Sequence, residues 1–96
     1  MANALVSIQI IPKTKNGQDV IPYVDEAIAI IDASGVPYHV SPLETTMEGE
    51  LPDLLAIVEK MNERMEELGC PSVISQVKIF YQPSGASMDK LTEKYR

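Results

Sequence analysis

The sequence predicts an α+β fold of the ferredoxin-like type, a βαββαβ sandwich whose four-stranded antiparallel sheet carries two helices on one face. Three observations predict it. Segments near either end, Ala4–Ile11 and Val73–Tyr81, alternate residues with a period of two, as strands do. Two longer segments place apolar residues at helical spacing, and each is closed by a glycine. Between them lies a pair of short β-forming segments interrupted by Pro42. Right-handed crossovers turn this order into a single sheet of the split βαβ type.

Taken in order, ALVSIQII puts Val6, Ile8 and Ile10 on one face and Leu5, Ser7, Gln9 and Ile11 on the other. Pro12 is expected to stop this first strand, because it has no N–H for a ladder, and Thr14 to Gly17 reads as a loop. The first helix is expected to open with Asp19 as N-cap and Pro22 in its first turn, and to end before Gly35. Val20, Val24, Ala27, Ile28 and Ile31 form its apolar stripe.

The second strand covers Tyr38, His39, Val40 and Ser41. After Pro42 the stretch PLETTMEGE (42–50) reads as the third strand, antiparallel to the second across a short connection. Alternation directs Leu43, Thr45 and Met47 toward the core and Glu44, Thr46 and Glu48 away from it. The second helix begins near Leu51 or Pro52, with Glu48 and Glu50 at its positive end, and Gly69 closes it. Its stripe is Leu54, Val58, Met61, Met65 and Leu68, widened by Leu51, Leu55 and Ile57, while Glu59, Glu63, Glu66 and Glu67 read as a solvated face. After the last strand, VISQVKIFY, Ser87 is placed to cap a short terminal helix carrying Leu91 and Tyr95.

Ninety-six residues with 45% hydrophobic content make one domain, 1–96, with a modest core and no general disorder. The net charge of −6 disfavours nucleic acid and anionic membrane, which need clustered Lys and Arg. A small cationic ligand suits the balance better. No apolar run reaches the roughly 20 residues of a membrane helix. The opening MANALVSIQI lacks the basic residue of a signal peptide, so a cytoplasmic location is the expectation. Cys70, the single cysteine, leaves no intrachain disulfide.

With both helices on one side, the other sheet face is expected to lie uncovered. It presents Leu5, Ser7, Gln9, Ile11, Ile74, Gln76, Lys78 and Phe80, joined by Glu44, Thr46 and Glu48 and by His39 and Ser41. Its apolar members mark it as an interface, and the polar ones in its middle need partners there. No catalytic or metal constellation is evident. His39 stands alone as a histidine, Glu44 and Glu48 lie about 13 Å apart at the usual strand rise, and Cys70 follows a helix C-terminus, where the dipole works against a thiolate. Glycine-rich phosphate loops and nucleophile elbows are missing. Tyr38, Tyr81 and Phe80 are able to stack on a heterocycle.

The segment YHVSPLETTMEGE (38–50), with SIQIIP (7–12), the helix-then-glycine spacing before Val36 and the terminal LTEKYR, resembles the small thiamine-binding protein family, single-domain relatives of YkoF-like proteins. The resemblance implies a ferredoxin-like fold, dimers that pair into tetramers, and thiamine or its pyrimidine moiety held at subunit interfaces. Carried over residue by residue, it points to Ser41, Thr45, Thr46 and Glu48. A carboxylate at Glu44 departs from the small or amide residue that relatives often have.

On chemistry, Glu48 or Glu44 is suited to balance the thiazolium, Ser7, Gln9, Thr46 and Gln76 to satisfy the aminopyrimidine, and Phe80 or Tyr38 to stack. Lys78 is the one clear candidate for a phosphate ester. The expectation is therefore a non-enzymatic binder of thiamine with no cofactor of its own. A structural or regulatory oligomer without a ligand is the alternative, and an enzyme using interface carboxylates a distant third.

Overall fold

The computed structural model describes residues 2–96. Its elements in order are β1 (Ala4–Lys13), α1 (Ile21–Ser34), β2 (Tyr38–Val40), β3 (Thr45–Gly49), α2 (Leu51–Glu67), β4 (Ser72–Tyr81) and α3 (Met88–Thr92), with 3-10 turns at Lys15–Gly17 and Glu93–Tyr95. The strands pair antiparallel in the order β2-β3-β1-β4, the ferredoxin-like arrangement that the βαββαβ pattern predicts.

The core lies between the sheet and the two long helices. Val6, Ile8 and Ile10 of β1 and Met47 of β3 meet Ala27 and Ile31 of α1 and Leu54, Ile57, Met61 and Met65 of α2. Each of these Val, Ile, Leu and Met side chains contributes roughly 1.5–3 kcal/mol when fully buried. Ile57 sits deeper than Val58, and Leu55, expected to widen the stripe, is exposed. The helix ends follow from local chemistry. Gly35 adopts φ 83° at the end of α1, and Gly69 adopts φ 90° after α2. Asp19 accepts from Ile21 N–H at 3.1 Å, so it holds the entry to α1, although the helix itself starts two residues after it. The first N–H of α2 is taken by a residue the sequence did not single out: Asn3 Oδ1 accepts from Leu51 at 2.9 Å.

Three expectations are overturned. Pro12 does not stop β1, which runs on to Lys13 with Pro12 opposite Val73. Pairing with β3 ends at Ile8, so this end of β1 is a sheet edge on one side, where a missing N–H is tolerated. The third strand begins at Thr45 rather than just after Pro42. Ser41 N–H donates to Glu44 C=O at 2.8 Å across a tight turn, leaving Leu43 75% exposed instead of core-facing. Finally, the sheet face opposite the helices is not bare. After Tyr81 the chain turns back, with Ala86 N–H on Ala2 C=O and Met88 N–H on Glu48 Oε1 at 2.8 Å. Leu5, the neighbour of Glu48 in the sheet, is then only 7% exposed.

Candidate functional site

The register decides which predicted residues share a face. Ser7 pairs with Thr46 on one side and Lys78 on the other, and His39 pairs with Thr46. Directly paired residues point to the same face, so one row runs His39, Thr46, Ser7, Lys78. The neighbouring rows are Glu48, Leu5, Phe80 on one side, and Gln9 with Gln76 then Ile11 with Ile74 on the other. Ser7, Gln9, Thr46, Glu48, Gln76, Lys78 and Phe80 therefore gather on the open face, as alternation predicts.

Glu44 reaches the middle of this face from the turn before β3. Its carboxylate accepts from Ser7 Oγ at 3.2 Å through Oε2 and from Lys78 Nζ at 3.1 Å through Oε1. Ser7 is 8% exposed, whereas the Lys78 side chain is 76% exposed and that of Glu44 33%. A buried hydroxyl thus fixes one oxygen, and an exposed surface ammonium balances the charge through the other. The pair stands between two shallow depressions. One, of about 230 Å³, is lined by Leu5, Ser7, Thr46 and Phe80; the other, of about 640 Å³, by Gln9, Leu43 and Gln76. A carboxylate flanked by amides, hydroxyls and an aromatic ring is equipped to take a flat cationic heterocycle.

Tyr38, Thr45 and Ser41 lie elsewhere. Tyr38 is in register with Met47 and Thr45 with Ile8, both on the helix-facing side. Tyr38 Oη donates to Asp32 Oδ1 at 2.8 Å, and that bond holds its pKa above the usual phenol value, which removes it from stacking on the open face. Thr45 is buried against β1, as its place in the alternation predicts. Ser41 lines a cleft between the β2–β3 turn and the start of α1 that adjoins the larger depression, sharing Gln9, Leu43 and Glu44 with it. Glu48 is on the open face with one oxygen committed to Met88 N–H, whereas both oxygens of Glu44 have partners, one of them the exposed Lys78 ammonium, which a ligand cation is able to replace. Expecting Glu48 at the positive end of α2 was therefore wrong: it serves the start of α3 instead. No sequence signal announces the Glu44–Ser7 contact, since it spans a turn that resembles a continuing strand.

Two other features belong to the framework. Arg64 bridges Glu26 of α1 and Glu67 of its own helix, and those carboxylates push its pKa up. A depression of about 380 Å³ lined by Gln18, Asp19, Pro22, Tyr23, Glu26 and Leu68 lies at the base of α1, but its polar groups are already paired, Tyr23 Oη with Gln18 Oε1 at 2.6 Å and Glu26 with Arg64. Among the described residues no group of three or more His, Cys, Asp or Glu side chains is placed to hold a metal ion. No helix among them is long and apolar enough to cross a membrane.

Fold and site together define a ferredoxin-like protein with a polar, acid-centred groove on its open sheet face. The chain belongs to the thiamine-binding protein family, whose model matches residues 6–96. It is 45% identical over 91 residues to a UPF0045 protein of Clostridium perfringens, covering 95% of each chain. To the UPF0045 protein YqgV of Bacillus subtilis it is 30% identical over 80 residues, covering 79% of this chain and 77% of that one. Among solved structures, a domain of unknown function from Bacillus cereus superposes with TM-score 0.91 at 39% identity, over 100% of this chain and 93% of that one. A Thermotoga maritima protein proposed for thiamine biosynthesis or salvage superposes with TM-score 0.88 at 29% identity, over 98% and 99% of the two chains. A thiamine-related role follows from this membership.

Proposed function

We propose that this protein binds thiamine, or its hydroxymethylpyrimidine moiety, without transforming it, at subunit interfaces of a cytoplasmic homo-oligomer built of dimers that pair into tetramers. It acts as carrier, buffer or sensor and uses no cofactor of its own. The observation that carries the reading is Glu44, a half-buried carboxylate fixed by Ser7 and balanced by a cation from its own chain. Thiamine brings a cation that takes the place of Lys78 at Glu44. Gln9, Thr46 and Gln76 offer the donors and acceptors an aminopyrimidine requires, and Phe80 offers a ring to stack against. Each neutral hydrogen bond is worth only about 0.5–1.5 kcal/mol net, so affinity depends on several converging, which a second subunit over the groove promotes.

Membership in a family named for thiamine supports the ligand. The test is a thermal melt with and without millimolar thiamine, where a saturable rise in Tm is expected and an unchanged Tm contradicts the reading. One observation favours a ligand-free oligomer module instead: both oxygens of Glu44 already have partners within the chain. That alternative expects the same assembly and no response to thiamine.

A further inference from the structure

We propose that the open-face groove takes a ligand carrying both charges, a cationic heterocycle with a phosphate monoester, with Glu44 holding the cation and Lys78 the phosphate. The inference rests on the thiamine reading above and deepens it by naming the form of ligand the groove prefers, the monophosphate over the free alcohol.

The groove holds its charges as a closed pair. Glu44 and Lys78 meet at 3.1 Å, and among the described residues no other charged side chain lines either depression beside them. The two members are held differently. The second oxygen of Glu44 is fixed by Ser7 Oγ, which is buried, so the carboxylate keeps its place. The Lys78 side chain is exposed and is tied down by Glu44 alone. An arriving cation therefore displaces the ammonium and leaves the carboxylate where it is.

A ligand that brings only a cation leaves this exchange half finished. It satisfies Glu44 but displaces an ammonium that stays near, because Lys78 is opposite Ser7 in the ladder and its stem is anchored beside the site. Two positive charges then share one carboxylate, and like charges at that range repel. An anion on the ligand removes the conflict. It pairs with the displaced ammonium while the ligand cation pairs with Glu44, and all four charges are matched. Lys78 lines the depression on each side of Glu44, so an ester arm meets it whichever way the heterocycle lies. A lysine ammonium binds phosphate as a point charge, without a fixed direction of approach.

Charge also sets how the anion arrives and how long it is. The net charge of −6 works against a free anion, and Lys78 is closed until a cation opens the pair, so cation and anion come on one molecule. One phosphate is what the groove answers. The next lysine on this face by alternation, Lys13, stands opposite Ser72, six residues along β1 from Ser7 and roughly 20 Å away at the usual strand rise. A second phosphate finds no partner of its own in either depression.

Titration calorimetry in phosphate-free buffer compares thiamine with thiamine monophosphate on the parent protein, Lys78→Met and Lys78→Arg. The parent is expected to bind the monophosphate about three- to tenfold more tightly, the range an exposed charge-assisted hydrogen bond supports. Lys78→Met is expected to reverse the order, holding thiamine more tightly than the parent does and the monophosphate more weakly. Lys78→Arg is expected to keep the parent's preference, and thiamine diphosphate to bind the parent no more tightly than the monophosphate. A parent that binds thiamine as tightly as the monophosphate would overturn the inference and leave the thiamine reading intact. A preference that survives in Lys78→Met, or a further gain with the diphosphate, would do the same. Binding of the monophosphate with none of thiamine would overturn the thiamine reading and leave the charge matching intact, whereas binding of neither would overturn both.

Discussion

At the scale of single residues, the weight rests on Glu44. Its two oxygens see different partners, a buried hydroxyl and an exposed ammonium, and only the second is readily exchanged. Hydrogen bonds to charged groups are worth about 1.5–3 kcal/mol, so Glu44→Gln is expected to weaken thiamine by at least about tenfold in a calorimetric titration. Lys78→Met removes the internal competitor and is expected to tighten thiamine in the same titration. Unchanged affinity in both variants would take Glu44 out of the site. Tyr38 provides a second residue-level test. Its hydrogen bond to Asp32 raises the folded-state pKa, so the folded protein holds the phenol proton to higher pH than the unfolded chain does. The associated stability is present below the unfolded value of about 10 and is lost as pH rises through the folded one. Asp32→Asn is expected to bring the tyrosine absorbance titration down toward that value.

At the scale of elements, the helices and long strands were legible because each rests on a periodic pattern with chemical punctuation. Gly35 ends α1 with positive φ, and a Cβ there would meet nothing within 4 Å, so the conformation alone demands glycine. Gly35→Ala is therefore expected to cost about 1–2 kcal/mol, read as a lowered Tm without loss of secondary structure. What escaped the sequence depends on contacts between elements. Leu43 reads as core by alternation, and only the tight turn at Pro42 takes it out of the strand. Pro12 reads as a stop, and only the early end of β3 leaves an edge that accepts it. Asn3 reads as an ordinary polar residue, yet it caps a helix 48 positions later. Its replacement by alanine leaves the Leu51 N–H without that acceptor and is expected to cost about 0.5–2 kcal/mol in chemical denaturation.

At the scale of the whole molecule, the ferredoxin-like topology and the sidedness of the site were legible, since alternation in β1 and β4 assigns Ser7, Gln9, Gln76, Lys78 and Phe80 to one face. The returning C-terminal segment was not, because its anchor joins a backbone N–H at Met88 to a carboxylate 40 positions earlier. That segment narrows the open face to a groove centred on Glu44, flanked by Leu5 and Phe80 at the covered end and by Gln9 and Gln76 at the other. The proposal places the thiamine-related role in that acid-centred groove. Titration calorimetry of the purified protein with thiamine, run beside Glu44→Gln, tests that placement most directly. The account predicts saturable heat for the parent protein and a loss of about tenfold or more in affinity for the variant; no heat from the parent at millimolar thiamine would contradict it.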